Sequence, residues 1–137
     1  MLTRTAFASC LIFTAAAPLA AADEILEPGS KPIKAVDGCE FTEGPVVDAK
    51  GNVLFSDGPN DRIMLLAPDG TLTEFRKPCG RVNGMTMDGQ GRLVVCQSSG
   101  EGGKRRVARF ELDGRETVLA ERFEGKRFIA PNDVCLD

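Results

Sequence analysis

From about residue 42 onwards, short apolar runs alternate with clusters of Gly, Asp, Asn and Pro. Runs of four or five residues bounded by turn residues predict strands. They fall at 44–47, 52–56, 62–66 and 71–75, and then at 84–87, 93–96, 106–110 and 116–120. Between them, Lys50-Gly51-Asn52, Pro68-Asp69-Gly70, Gly89-Gln90-Gly91 and Asp113-Gly114 supply the glycines that let a chain reverse. No stretch after Asp23 sustains a 3.6-residue period, so very little helix is expected. Val53-Leu54-Phe55 and Leu93-Val94-Val95 are apolar at consecutive positions, which predicts strands covered on both faces and the best-buried segments.

One six-residue pattern heads each series of strands. Glu43-Gly44-Pro45-Val46-Val47-Asp48 returns as Asn83-Gly84-Met85-Thr86-Met87-Asp88 and again as Asn132-Asp133-Val134-Cys135-Leu136-Asp137. Each copy opens on a side chain with an oxygen donor and closes on Asp. The steps are 40 residues (Asp48 to Asp88) and 49 (Asp88 to Asp137). Asp69 to Asp113 spans 44, because the loop at 98–104 is longer than its counterpart at 58–61. Four short antiparallel strands per period of this length predict an all-β propeller blade, and the tight hairpins argue against a stacked solenoid. Glu43, Asn83 and Asn132 would then begin equivalent innermost strands around a shared centre. Asp48, Asp88 and Asp137 read as structural strand-end residues, and Asp57 as a turn residue after the second strand.

Propellers usually close with about four to eight blades. Two full periods and one opening strand are therefore expected to be the N-terminal part of a longer propeller. Alone, such a part is expected to be poorly stable, because apolar blade faces stay open. A short chain that assembles several copies into one ring is the alternative.

Composition narrows the chemistry. The chain has 137 residues, 42% hydrophobic and 27% charged, with net charge −3, so it has no basic footprint for nucleic acid. No window of about 20 apolar residues is present to span a membrane. His, Tyr and Trp are absent. A metal must therefore be held by oxygen or thiolate, and acid–base work falls to carboxylates, Lys or Cys. Arg4, the apolar run 6–17 and Pro18-Leu19-Ala20-Ala21-Ala22 have the order of a signal peptide at 1–22, cleaved after Ala22. This predicts a secreted or periplasmic protein with a leader at 23–34 and an ordered domain at 35–137. Removing Arg4 leaves 16 basic residues against 20 acidic, a mature charge of −4. Cys39, Cys79, Cys96 and Cys135 remain in the mature chain. Cys96 and Cys135 suit buried thiols in strands, whereas Cys39 and Cys79 flank turns and are the better candidates for a bridge. No C-x-x-C and no G-x-S-x-G occurs, which weighs against a zinc cluster and a serine hydrolase. Gly100–Gly103 does not open a helix and reads as a flexible loop, not a phosphate cradle.

The segments Phe41-Thr42-Glu43-Gly44-Pro45, Leu54-Phe55-Ser56-Asp57, Arg62-Ile63, Arg81-Val82-Asn83-Gly84, Gly91-Arg92-Leu93 and Ala130-Pro131-Asn132-Asp133 resemble the senescence marker protein/gluconolactonase family. The resemblance runs from about Cys39 to Asp137 and is nearest to secreted bacterial gluconolactonases. It implies a six-bladed propeller with a divalent metal, calcium or zinc, at one end of the central channel and a small lactone as substrate. It implies that Glu43 is a metal ligand and that Asn132 faces substrate or metal water. By repeat position Asn83 would line the channel. The family's remaining ligands, an Asn and an Asp that is its usual general base, are expected beyond residue 137. No catalytic residue is therefore assigned in this chain, and the chain alone is expected to be inactive. Without the resemblance, Glu43 is an ordinary strand-end carboxylate and Asn132 a turn former after Pro131. The rival function is a non-enzymatic, NHL-like binding propeller.

Overall fold

The computed structural model describes residues 27–137. The expected signal peptide at 1–22 and the first residues of the leader lie outside the described residues. Residues 27–33 are exposed and irregular apart from one turn, where Ser30 N–H donates to Glu27 O at 2.9 Å. Lys34–Asp137 form one compact unit.

That unit consists of two meanders of four antiparallel strands. The first comprises β1 (Thr42–Val47), β2 (Val53–Asp57), β3 (Arg62–Leu66) and β4 (Leu72–Arg76), paired in that order. The second comprises β5 (Val82–Met87), β6 (Leu93–Gln97), β7 (Arg106–Phe110) and β8 (Glu116–Ala120), in the same order. Each sheet is one propeller blade. The only helix among the described residues is a short 3₁₀ turn, Gly58–Asn60, and none is long and apolar enough to cross a membrane.

Four hairpins close the blades, and all close alike. The residue at the first corner donates its N–H to a carbonyl four residues on, while the glycine in between donates back. The sets are Asp48/Gly51/Asn52, Ala67/Gly70/Thr71, Asp88/Gly91/Arg92 and Glu111/Gly114/Arg115, with every bond at 2.9–3.0 Å. Gly51, Gly70, Gly91 and Gly114 each have φ between +76° and +86°, a region that side chains with a Cβ disfavour. At the two inner turns Asp supplies a further clamp. Asp48 Oδ1 accepts from Lys50 N and Asn52 N, and Asp88 Oδ1 accepts from Gln90 N and Arg92 N. The structural role expected for Asp48 and Asp88 is therefore present.

The core lies between the blades. Leu54 and Ile63 of the first sheet pack with Val82, Met85, Leu93, Val95, Ala108 and Phe110 of the second. Arg76 reaches across the same seam. Its Cζ lies 3.9 Å from the centroid of the Phe110 ring, and its Nη1 donates to Gly114 O at 3.2 Å. On the opposite face of the first sheet, Val53, Phe55 and Leu66 line a groove of about 520 Å³ with residues 34–40. All five residues of β6 are buried, as its apolar run predicts. In β2 the burial is displaced: Val53 is only half-buried, whereas Ser56 and Asp57 are fully buried.

Asp57 corrects the reading of it as a turn residue. It ends β2 with no exposed surface. Oδ1 accepts the N–H groups of Glu40 (3.0 Å) and Phe41 (3.2 Å). Oδ2 accepts from Asn60 Nδ2 (2.9 Å) and Arg62 Nε (2.9 Å). Gln97 holds the same place 40 residues later. Its Nε2 donates to Cys79 O at 2.8 Å, and its Oε1 accepts from Arg106 Nε at 2.7 Å. In both blades a buried polar residue at the end of the second strand anchors the segment leading into the first, backed by the arginine that opens the third.

Two other expectations differ from the structure. The run 132–137 is not a strand: among the described residues its one backbone bond to a strand is Gly84 N–H to Asn132 O, too few to make a ladder. A small hairpin, β9 (Arg122–Phe123) with β10 (Lys126–Arg127), precedes it. Cys39 and Cys79 do not form a bridge, and all four described cysteines are free thiols. Cys79 is buried and its Sγ–H donates to Asp61 Oδ1 at 3.3 Å. Burial, reinforced by that carboxylate, pushes its pKa up to about 12. Cys96 is pushed up to about 11 by burial and the nearby charge of Asp133. Cys135, expected to be buried, is exposed.

Burial alone would raise the Asp57 pKa, but the bonds from Asn60, Arg62 and the two backbone N–H groups outweigh it and hold the pKa below the ordinary value. The unfolded chain therefore takes up this proton first on acidification. The stability Asp57 contributes is complete above pH about 4 and drains as the pH falls through and below that value. Asp57→Asn should cost about 1–3 kcal/mol at neutral pH and flatten the acid limb. Thermal melts of both forms between pH 3 and pH 7 measure this, and parallel acid limbs would disprove it.

Candidate active site

Both inner strands carry an irregularity at the same place. In β1, Glu43 pairs with Ser56 and Val46 with Leu54; in β5, Val82 pairs with Gln97 and Met85 with Val95. Each inner strand thus holds one residue more than its partner, a bulge that re-aims the side chains beside it. Ser56, fully buried, fixes the first bulge by donating its hydroxyl to Glu43 O at 3.0 Å.

The glycines of the repeated motif explain why the inner strands can meet. A Cβ built on Gly44 would stand 2.8 Å from Gly84 Cα and closer still to Asn83 O. A Cβ on Gly84 would stand 2.8 Å from Asn132 O and closer still to the Asp133 carboxylate. Gly84 N–H also donates to Asn132 O at 2.7 Å. Motif one is therefore seated on motif two, and motif two on motif three. Glu43, Asn83 and Asn132 stand along one backbone row, in the order the repeat predicts.

The row carries unspent oxygen donors. Asp48, Asp57, Asp88, Asp113, Glu111 and Glu116 are all engaged by arginines, lysines, amides or turn N–H groups. Glu43 is half-buried and joins no ion pair among the described residues. Asn83 is half-buried and Asn132 exposed. A carboxylate and two amides form an all-oxygen donor set, the type a hard divalent cation takes. Among the described residues no three Cys, Asp or Glu side chains gather closely enough to hold a metal by themselves. Waters or further oxygen donors would have to complete a shell of roughly six to eight.

Asp133, which the motif pattern marks with no role of its own, has a structural one. Its carboxylate fills the space that the missing Cβ of Gly84 leaves, and Oδ1 accepts Val134 N–H at 2.9 Å. It holds the third motif against the second. Its only signal in the sequence was an Asp where the other two motifs have Gly.

No family model matches the chain. It is similar to the gluconolactonase of Zymomonas mobilis, with 31% identity over 77% of this chain and 33% of that protein. Two solved structures are also similar. One is a structural-genomics target assigned as a gluconolactonase, with 38% identity, a TM-score of 0.69, and coverage of 80% of this chain and 37% of the other. The second is a gluconolactonase of Xanthomonas campestris, with 32% identity, a TM-score of 0.66, and coverage of 72% and 32%. The chain spans about a third of the length of each.

The close approach at Gly44 can be tested against a glycine in open space. Gly91 has φ +76° and nothing near its absent Cβ, whereas Gly44 has φ +57° and backbone in the way. Gly91→Ala should cost about 1–2 kcal/mol from the left-handed conformation alone. Gly44→Ala should cost about 1–3 kcal/mol more, because the seat must shift. Equal losses of thermal stability in the two variants would mean that the inner strands do not press together.

The repeated inner-strand motif, its glycine-seated row and the likeness to these structures agree: the chain is similar to gluconolactonases over about a third of their length and forms two blades of a propeller.

Proposed function

We propose that this chain contributes the Glu43–Asn83–Asn132 edge of a lactone-hydrolase site that acts on sugar aldonolactones with the help of a divalent cation, calcium or zinc. The observation that carries the reading is the row itself. The backbones beside three repeat-equivalent oxygen donors approach one another closely at Gly44 and Gly84, which supports a shared site.

In this reading Glu43 contributes the negative charge that holds the cation. Its backbone is fixed by the bulge and by the Ser56 hydroxyl bond to Glu43 O. Asn132 presents an amide that can donate to a lactone oxygen or accept from a sugar hydroxyl. Asn83, between them, lines the same row. A bound divalent cation supplies Lewis-acid polarisation of the lactone carbonyl and a more acidic water. The base that takes the water's proton is assigned to no residue of this chain. Export to the periplasm or beyond, with removal of residues 1–22, belongs to the same proposal.

Two experiments test it. In a chain extended to the length of its relatives, Glu43→Gln keeps shape and removes charge, so calorimetric titration should show calcium or zinc binding at least about tenfold weaker with the fold intact. Unchanged affinity would make Glu43 an ordinary surface carboxylate. The second experiment compares the 137-residue chain with a chain extended to the length of its relatives, assayed on glucono-1,5-lactone with and without chelator. The extended chain should be active and chelator-sensitive. The short chain should be inactive and prone to aggregate, because its blade faces are open. A soluble, active short chain would contradict the account. An extended chain that folds but turns over no lactone would favour the binding-propeller reading.

A further inference from the structure

The segment that leads into each inner strand is anchored differently in the two blades. In the first, the anchor is the blade's own Asp57, whose Oδ1 accepts the N–H groups of Glu40 and Phe41. Gln97 stands 40 residues after Asp57 but cannot replace both bonds. Its Oε1 accepts from Arg106 Nε, and only its Nε2 reaches the entry segment, at Cys79 O. The N–H of Arg81, the repeat partner of Phe41, is satisfied from the neighbouring blade instead. It donates to Asp61 Oδ1 at 2.6 Å. The same oxygen accepts the Cys79 thiol at 3.3 Å, and Cys79 N–H is shared between Asp61 O at 3.1 Å and Oδ1 at 3.3 Å.

Asp61 belongs to the first blade, on the loop between β2 and β3. Its backbone is left-handed, φ +51°, and its N–H donates to Gly58 O at 3.0 Å. Arg105 holds the matching place 44 residues on and is left-handed too, at φ +54°. The conformation therefore comes with the loop, whereas the carboxylate is particular to the first blade. Among residues with a Cβ, Asp and Asn bear this conformation best. Arg81 is left-handed as well, at φ +58°. Beside it, a Cβ on Gly80 would stand 2.7 Å from Gln97 Nε2. Residues 79–81 are thus gripped from both blades, by Asp61 on one side and Gln97 on the other. Directly after them come Val82 and the second motif, Asn83-Gly84, whose Gly84 N–H donates to Asn132 O.

We propose that Asp61 is a positioning residue for the Glu43–Asn83–Asn132 row. Acting through the backbone of 79–81, it fixes where the second motif stands relative to the first, and the second carries the third. A misplacement of about 1 Å can cost about a hundredfold in rate, so an effect on lactone turnover is expected. That consequence rests on the lactone-hydrolase reading, whereas the positioning of the row does not.

The test uses the chain extended to the length of its relatives. Asp61→Gly removes the acceptor without straining the left-handed backbone. Asp61→Asn keeps an acceptor oxygen and the same conformation. Gly91→Ala, in an open hairpin turn, controls for a general loss of stability. Amide hydrogen exchange well below every variant's melting temperature is the first readout. In Asp61→Gly the Arg81 amide should exchange at least about tenfold faster than in Gly91→Ala. The Gly84 amide should follow it, although its own bond runs to Asn132 and not to Asp61. Asp61→Asn should return both towards the wild-type rate. Faster exchange at Arg81 with Gly84 unchanged would confine Asp61 to its own loop and overturn the proposal. Asp61→Asn behaving like Asp61→Gly would overturn it too. The second readout is kcat/KM on glucono-1,5-lactone, which should fall at least about tenfold in Asp61→Gly, recover in Asp61→Asn and hold in Gly91→Ala. Undiminished kcat/KM in Asp61→Gly would contradict the proposal. A wild-type chain that turns over no lactone would overturn the lactone-hydrolase reading alone, and hydrogen exchange would then decide on Asp61.

Discussion

Backbone-to-backbone approach at Gly44 and Gly84 is the constraint on which the rest of this structure depends. Neither position tolerates a Cβ, because the next motif occupies the space, with main chain at Gly44 and with the Asp133 carboxylate and Asn132 O at Gly84. The contact places the inner strands side by side and sets the seam in which Leu54, Ile63, Val82, Met85, Leu93 and Val95 are buried. It also decides where Glu43, Asn83 and Asn132 stand. Packing and site geometry are here the same fact. A change that loosens the glycine seat would open the apolar seam and scatter the oxygen donors together.

A second constraint fixes the strands within each blade and the segment that leads into it. Asp57 and Gln97 are buried polar groups in otherwise apolar surroundings, and each is fully satisfied. Burying such a group without its partners costs several kcal/mol, so a slipped strand would be penalised at these positions. Glu116 acts similarly across the seam. Burial would raise its pKa, but Lys104 and Arg106 hold it low, and Arg76 of the first blade lies 3.7 Å away. Apolar burial gives the seam its strength, and these polar anchors give it a single alignment.

Much of this was legible in the sequence. Strands 62–66, 106–110 and 116–120 match their predicted bounds, because a glycine turn on one side and an apolar run on the other leave little choice. The repeat was readable because one turn chemistry is used four times. What escaped reading was whatever depends on partners distant in sequence. An Asp after an apolar run looks like a turn former, and only the approach of Glu40 and Phe41 makes Asp57 a buried anchor. The clue was available in Asp57-to-Arg62 and Gln97-to-Arg106, a polar strand end followed by an arginine that opens the next strand. The run 132–137 has the pattern of a strand, yet a strand exists only beside another. The left-handed backbone of Arg81 and Arg105 leaves no trace in residue type.

The central claim is that three motifs separated by 40 and 49 residues present one shared set of donors. Manganese titration of ¹⁵N-labelled protein tests it directly, because a paramagnetic ion broadens the amides nearest to it. The amides of Gly44, Gly84 and Asp133 should broaden together, ahead of those beside the exposed turn carboxylates Asp69 and Asp113. Broadening confined to one motif, or scattered evenly over the surface acids, would contradict the claim.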